Sequence, residues 1–284
     1  MIEFRLPTVV VLCGEPYCTQ DEPLIATTID EYLVCKVKPR RDFSIIENGK
    51  KQDIKLYKRE IEIVSSIFGE LKGEINIHYE KPLMMPEGIV VAITLAQILL
   101  RGEYNEEYVE REVNEVLSIL RSIKPELKAR LMMRGGACAY REREGAFDLS
   151  VDLLNEFRWF LIKRVVGLDM SIYNYANTYF PEVMEIVSHS IGHVVLEFAR
   201  ALISKEISKI PYLVRVNCNL VRALGLVPKE HEEILTDVYM QGAIAESVGF
   251  ERRYILGIAT NSISLRNVRA RGVRLGVKFT LIQQ

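Results

Sequence analysis

The stretch PTVVVLCGE, residues 7–15, is an apolar run that ends at Gly14, which is typical of a buried strand. Further along, residues 24–38 are rich in β-branched and aromatic residues and are bounded by prolines, which predicts a second, longer strand. This second stretch contains ATTIDEY at residues 26–32. The two stretches predict a pair of strands early in the sequence, and the fold assignment depends on them.

Periodic patterns elsewhere predict a mixture of helices and strands. Apolar residues recur at helical spacing in the segments 63–71, 86–100, 109–120, 171–204, 212–224 and 229–247. Extended or alternating patterns predict strands at 75–79, 137–140, 146–153, 160–166 and 273–281. Because these elements do not alternate regularly as β-α-β units, the sequence favours an α+β fold over a doubly wound parallel sheet.

Composition limits the class of protein. The 284 residues are 49% hydrophobic and 26% charged with a formal net charge of −1, so the chain as a whole is no polyanion binder. Five cysteines without a Cys-x-x-Cys pair favour a reduced, intracellular protein. Residues 1–15 lack the features of a signal peptide, and the longest apolar run, 88–100, is too short to span a bilayer. We expect a cytoplasmic protein without a membrane segment; its Lys- and Glu-rich composition would suit a thermophile.

The order of several short motifs resembles the GHMP kinases (galactokinase, homoserine kinase, mevalonate kinase and relatives), nearest to the heptose-phosphate kinase branch. The motifs span nearly the whole chain, and they are the opening strand into Gly14-Glu15, the ATTIDEY strand, Gly135-Gly136 before a strand, Asn219 to Val227, and Gly242-Ala243. The resemblance implies a two-lobed α+β fold with a ribosomal S5 domain 2-like N-terminal half and a ferredoxin-like C-terminal half.

The resemblance also implies a domain organisation and a site. The expected domains are residues 1–153 and 154–284, with nucleotide and substrate bound between them. Glu15, Gly135 and Gly136 are implied as lining a substrate pocket. ATP and Mg would be the cofactors if kinase activity is retained.

The first departure from the family lies in the phosphate loop, which corresponds to residues 82–92. Gly88 fits, but Ile89 and Val90 stand where the family has two hydroxyls. Glu87 puts a carboxylate at the helix start, where it complements the helix dipole by ~0.3–1 kcal/mol but repels a triphosphate. We interpret this segment as a helix start that has replaced an anion site.

Two further motifs depart as well. The position of the family's catalytic aspartate falls on Lys128, with Glu126 two residues before it as the alternative candidate. The family's glycine-rich loop keeps Gly242 and one later glycine, Gly249, among bulky and charged residues. Any retained nucleotide site would use these two glycines with Glu87 and Gly88.

The combined losses favour a non-catalytic protein that binds a small molecule or a partner, such as a second copy or an active kinase relative. The alternative is a divergent but active ATP-dependent kinase acting on a sugar, a sugar phosphate or a similar alcohol. A weaker third possibility is an anion- or RNA-binding module that uses the basic residues 269–278, but little aromatic interleaving makes nucleic acid an unfavoured partner.

Histidines give few further signals. Glu185, His189, His193 and Glu197 recur every four residues, a spacing that can hold a metal, but a solvated helix face explains them and no metal is predicted. We interpret His231, among the acids of a first helical turn, as part of another solvated face.

Overall fold

The structure is a computed structural model that describes residues 1–15, 21–79, 87–102, 104–149, 157–164, 166, 169–248, 254–259, 261–274 and 277–281. The chain divides into two compact units. The first unit comprises Met1–Val9 and Asp30–Gly135, and the second comprises Val10–Ile29 and Gly136–Gln284. The domain boundary expected between residues 153 and 154 lies outside the described residues and stays a prediction.

The strands and helices have the following bounds. Described strands are β1 (Ile2–Cys13), β2 (Leu24–Lys38), β3 (Ser44–Glu47), β4 (Lys50–Lys51), β5 (Glu74–His78), β6 (Ala137–Arg141), β7 (Gly145–Leu149), β8 (Arg158–Lys163), β9 (Ala243–Val248), β10 (Tyr254–Ala259) and β11 (Lys278–Leu281). Described helices are α1 (Lys58–Phe68), α2 (Gly88–Arg101), α3 (Glu106–Ile119), α4 (Pro125–Arg134), α5 (Ser171–Tyr179), α6 (Pro181–Ile203), α7 (Ile210–Ala223), α8 (Lys229–Met240) and α9 (Ser262–Arg274).

The first unit contains a mixed sheet. Strand β5 pairs antiparallel with β2, from Val34 opposite His78 to Lys38 opposite Glu74, and β3 runs parallel to β5. Strand β4 forms a hairpin with β3, and β1 pairs with β2. Helix α2 is buried along most of its length. That burial fits its sequence, because a helix that is apolar all round belongs inside a core.

The second unit contains an antiparallel sheet in the order β11-β8-β10-β9. At its centre Gly257 on β10 lies opposite Phe160 on β8. The fully buried Phe160 ring occupies the space that a side chain at position 257 would need. The same ring stacks on Phe279 of β11 with 5.3 Å between centroids. A residue without a Cβ is therefore required at position 257.

The predicted α+β class is confirmed, and strand β2 has the predicted bounds. The helix expected over residues 171–204 is instead two helices, divided between α5 and α6 at Phe180 and Pro181. Proline explains the division, because it lacks the N–H that would continue the hydrogen bonding of the preceding helix.

Two other expectations were wrong in part. The helix expected over residues 229–247 ends at Met240, and the chain turns at Gly242, where φ is +74°, into the buried strand β9. Glycine favours such a turn because it adopts positive φ without a steric penalty. The strand expected from residue 273 begins at Lys278, since helix α9 extends to Arg274. Helix α4 was not predicted.

Helix α6 is long and apolar enough to cross a bilayer by length and composition, with a mean hydropathy of 1.3. The corresponding window of the helix is 39% buried, and α6 contacts α7. Core helices of water-soluble proteins meet the same criterion, so this is weak evidence for a membrane span.

Replacing Gly257 tests how closely the second sheet is packed. We expect Gly257→Ala to destabilise the protein by about 1–3 kcal/mol or more, because the added methyl group collides with the Phe160 ring. The matched control is Gly272→Ala in α9, where the new Cβ would lie 3.5 Å from Val277 Cγ2, an ordinary contact. Alanine should be neutral there or stabilising by up to about 1 kcal/mol. Urea denaturation of both variants measures the difference, and equal stabilities would contradict the packing argument.

Candidate functional site

An acidic residue stands at the start of helix α2 and accepts hydrogen bonds from two side chains. Glu87 precedes Gly88, the first residue of the helix. Its Oε1 accepts hydrogen bonds from Lys128 Nζ at 2.6 Å and from Ser122 Oγ at 3.0 Å. Lys128 Nζ also lies 2.8 Å from Ser122 Oγ, which closes a three-member polar cluster in the first unit.

This cluster is largely removed from water. The Lys128 side chain is 4% exposed and that of Glu87 is 17% exposed. Burial by itself would raise the pKa of Glu87, but the Lys128 charge and the hydrogen bonds from Lys128 and Ser122 lower that pKa below its usual range. Glu87 is therefore an ionised carboxylate whose charge is balanced by a buried ammonium group.

The cluster changes the interpretation of the two candidate catalytic residues. Lys128 is an ammonium in an ion pair, so it has no lone pair with which to accept a substrate proton. Glu126 lies in the first turn of α4 and is exposed. Glu87 and Lys128 stand in two separate motifs of the sequence, and the structure brings them together.

Two glycines follow α4: Gly135 is the last residue of the first unit, and Gly136 belongs to the second. Gly135 follows the last residue of α4 with φ +69°, and Gly136 has φ +79°, conformations that favour glycine. In the second unit the Gly136 carbonyl accepts hydrogen bonds from the Thr27 hydroxyl at 3.0 Å and from the Thr28 N–H at 2.9 Å. The two glycines thus allow the turn by which the chain passes from α4 into β6.

A second polar cluster lies inside the second unit. The Gly14 N–H donates to Asn217 Oδ1 at 3.0 Å, and Asn217 Nδ2 donates to Glu246 Oε2 at 2.7 Å. Glu246 is 3% exposed, and its Oε1 has no hydrogen-bond partner among the described residues. Neither Asn217 nor Glu246 was predicted as a site residue from the sequence; an acid within the apolar run AIAESV was the available signal.

Burial dominates the titration of this second cluster. It raises the pKa of Glu246 to about 8, against a smaller lowering by the Asn217 hydrogen bond. Burial and the nearby Glu246 charge also raise the pKa of the Cys13 thiol well above its usual range and that of Cys218 to about 11. Cys13 is fully buried, as expected for a residue of the apolar opening strand.

The remaining predicted site residues are placed as follows. Glu15 is buried at 3% exposure in the second unit, and Gly242 lies at the turn before β9. Gly249 lies outside the described residues. The expectation for His231 was wrong: the ring is fully buried, with Nδ1 2.7 Å from Ser247 Oγ. Burial lowers the pKa of His231, which favours a neutral structural histidine.

A cavity of about 320 Å³ opens in the second unit beside helix α6. His189 Nδ1 contacts the Glu22 carboxylate at its edge, and His189 Nε2 lies 3.6 Å from Glu185. A Cβ at Gly192 would collide with the same Glu22 carboxylate, so glycine permits the close approach of α6. The cavity is also lined by Pro23, Tyr140, Arg141, Phe147, His193 and Leu196.

The polar face predicted on α6 is exposed, as expected for Glu185, His189, His193 and Glu197. Two of these residues, His189 and His193, border the cavity, which the sequence did not predict. The residue that completes the arrangement, Glu22, is 167 positions away from His189 in sequence, and no periodicity within a helix reveals such a contact.

Solved structures resemble this chain over nearly its whole length. Mevalonate kinase of L. major in complex with R-mevalonate matches with a TM-score of 0.77 at 15% identity, covering 100% of this chain and 96% of that chain. Phosphomevalonate kinase of Streptococcus pneumoniae in complex with phosphomevalonate and AMPPNP matches with 0.76 at 12% identity, covering 99% and 100%. Galactokinase of Lactococcus lactis complexed with galactose matches with 0.76 at 11% identity, covering 99% and 92%. The chain has the GHMP kinase fold.

No family model and no curated protein matches the sequence. The GHMP kinase-like fold expected from the ordered motifs is nevertheless confirmed. Residues 80–86, which include most of the segment corresponding to the GHMP kinase phosphate loop before its helix, lie outside the described residues. Glu87 and Gly88 are described, and they stand at the helix start with the Lys128 ion pair beside them.

Breaking the ion pair tests its role in the first unit. We expect Lys128→Met to destabilise the protein by about 3–5 kcal/mol, because Glu87 is left buried and uncompensated. The double variant Glu87→Gln/Lys128→Met should recover part of this loss. The control is Lys58→Met in the exposed Lys58–Glu62 pair, whose side chains are 76% and 64% exposed; its effect should stay within about 0.5 kcal/mol.

Denaturant unfolding measures all of these variants, and pH supplies a second readout. Because the folded pKa of Glu87 is lowered, its contribution is complete above its usual value of 4.5 and is lost as the pH falls through the lowered value. A Lys128→Met variant as stable as the wild type at neutral pH would show that the pair does not stabilise the fold.

Glu246→Gln tests whether the second cluster holds a protonated carboxyl group. The folded protein keeps a proton that the unfolded chain releases between pH 4.5 and about 8, so stability falls as the pH rises through this window. At about 1.4 kcal/mol per pH unit, the full difference is about 5 kcal/mol. Glutamine does not ionise, so the variant should become more stable relative to the wild type as the pH rises from about 5 to about 9. Urea denaturation at both pH values measures this, with the exposed Glu233→Gln as control; parallel pH profiles for the wild type and Glu246→Gln would refute it.

Proposed function

We propose that this protein is a catalytically degenerate GHMP kinase homologue that binds a small molecule and does not transfer phosphate. The observation that carries the proposal is the Glu87–Lys128 ion pair at the start of α2. A helix N-terminus attracts anions through its free N–H groups and its dipole. In this chain a carboxylate already stands there, and its countercharge is buried with it.

A triphosphate would meet an unfavourable site at this helix start. Its charge would lie beside the Glu87 carboxylate, and the Lys128 ammonium group is already 2.6 Å from that carboxylate. Ile89 and Val90 offer no hydroxyl group for the metal or the phosphate. Binding would therefore require breaking the buried pair, which costs several kcal/mol.

The chemistry of phosphoryl transfer also lacks its usual base. Loss of a general base lowers a rate by about 10²–10⁴. Lys128 stands at the position that the resemblance gives to the base, and its ammonium group donates a hydrogen bond to Glu87 instead of accepting a proton. Both features follow from the same Glu87–Lys128 contact, which occupies the helix start and the position of the base together.

The cavity beside α6 supports small-molecule binding. Its volume of about 320 Å³ suits a small metabolite, and it combines an apolar wall with polar groups at the edge. Glu22 and His189 supply a hydrogen-bonding pair, and the Arg141 guanidinium is already paired with Glu144 at 2.7 Å. A polar ligand that carries hydroxyl groups would match this set.

The alternative is an active kinase of divergent mechanism acting on an alcohol, with ATP and Mg as cofactors. The observation in its favour is the full-length match to kinase structures, one of which contains phosphomevalonate and AMPPNP. It would need Glu126 or a substrate group as base.

For the non-catalytic protein proposed first, we also propose a cytoplasmic location and a role as a partner of an active kinase relative.

Thermal denaturation with and without Mg-ATP tests the loss of nucleotide binding. A ligand at 100 times its Kd stabilises the native state by about 2.7 kcal/mol, which raises the Tm by several degrees. We expect no shift at millimolar Mg-ATP, with an active galactokinase as positive control. ATP consumption that depends on an added alcohol and is abolished by Glu126→Gln or Glu15→Gln would establish the active alternative.

The same assay with a panel of polyols, sugars and their phosphates tests the cavity. Stabilising compounds should lose their effect in Glu22→Gln and keep it in Glu197→Gln, which removes an exposed carboxylate of α6 that lies outside the cavity lining. A compound that stabilises the wild type and both variants equally would bind elsewhere.

A further inference from the structure

Strand β1 lies at an edge of its sheet. Among the described strands it pairs only with β2. Pro7 fits this position, because a proline in a strand is tolerated where its missing N–H faces away from the neighbouring strand. Exposure alternates along the strand, with Glu3 and Arg5 exposed and Phe4 and Leu6 more buried. The first residues of β1 therefore have one backbone edge that β2 does not use.

A groove runs beside this edge in the first unit. A cavity of about 300 Å³ contacts the five consecutive residues from Ile2 to Leu6. Neighbouring strand residues point to opposite faces, so a cavity that contacts all five borders the edge of the strand. The opposite wall is mostly apolar and includes Leu95, Leu99, Val109 and Met132, and Tyr104, 74% exposed, stands at the rim.

The charge pattern of residues 2–6 is complementary to itself when two copies of this edge run antiparallel. In an antiparallel pair of two copies centred on Phe4, each Glu3 lies opposite Arg5 of the second copy, and each Ile2 lies opposite Leu6. Moving the centre to Glu3 or to Arg5 would place like charges opposite each other, which destabilises a strand pair. Charge thus selects one register.

The backbone is suited to the same register. If Pro7 directs its nitrogen away from β2, then Glu3 and Arg5, which lie four and two residues before it, present their N–H and C=O groups to the same side. These are the residues that must exchange hydrogen bonds in a pair centred on Phe4. Within one chain the Glu3 and Arg5 side chains are 40% and 63% exposed, and both are accessible to a second copy.

We propose that this protein forms a twofold-symmetric homodimer in which residues 2–6 of β1 pair antiparallel with the same residues of a second copy. The edge supplies backbone hydrogen bonds, and the groove residues, including Tyr104, bury apolar surface around the pairing. An isologous contact of this kind closes on itself and occupies the free edge of β1 in both copies. The proposal is independent of whether the protein binds nucleotide.

Charge reversal tests the register. Glu3→Arg and Arg5→Glu each place like charges opposite in both symmetric pairs of the homodimer, and each should raise the dimer Kd by roughly tenfold or more. An equimolar mixture of the two variants restores opposite charges in the heterodimer, so its Kd should return to near the wild-type value. Sedimentation equilibrium of the full chain measures all three samples. Glu62→Lys in α1, also an exposed reversal, is the control and should leave the dimer unchanged.

The mixing experiment separates this contact from effects within one chain. Glu3 also lies 3.2 Å from Lys36 and 3.9 Å from Arg5 of its own chain, and mixing two variants does not restore those contacts. A wild-type protein that stays monomeric at its highest soluble concentration overturns the proposal. So does a dimer that both single variants leave unchanged, or one that mixing does not recover.

Discussion

The buried ion pair between Glu87 and Lys128 is the interaction on which the start of α2 in the first unit depends. It fixes the start of α2 against α4 through two charges that are both largely removed from water. A lone charge at either position would be costly, so each residue requires the other. The start of α2 is thereby occupied by a carboxylate of the chain itself, paired with an ammonium group of the chain.

The second unit uses a buried polar group in a different way. Glu246 is connected through Asn217 to the backbone at Gly14, at the end of the opening strand. Among the described residues no buried cation balances it, and its pKa rises where that of Glu87 falls. Two glutamates in one chain thus remain inside the protein by opposite means, one through a countercharge and the other through a proton.

Much of the fold was predictable because it depends on local patterns. The strand over residues 24–38 and the all-apolar helix α2 are visible in the sequence as continuous runs. Strand β9 was assigned to a helix because its pairing with β10 is a tertiary contact that overrides local preference. The same limit applies to the sites: Glu87 and Lys128 were each identified from their motifs, but their contact depends on how distant helices meet.

Burial around Glu246 also has a chemical consequence for two neighbouring cysteines. Cys13 and Cys218 are both fully buried, and the pKa of each is raised. Peroxide and alkylating reagents attack the thiolate form and need access to the sulfur. Both conditions are denied at these two positions while the protein remains folded. Slow modification of these sulfurs would therefore report on opening of the second unit.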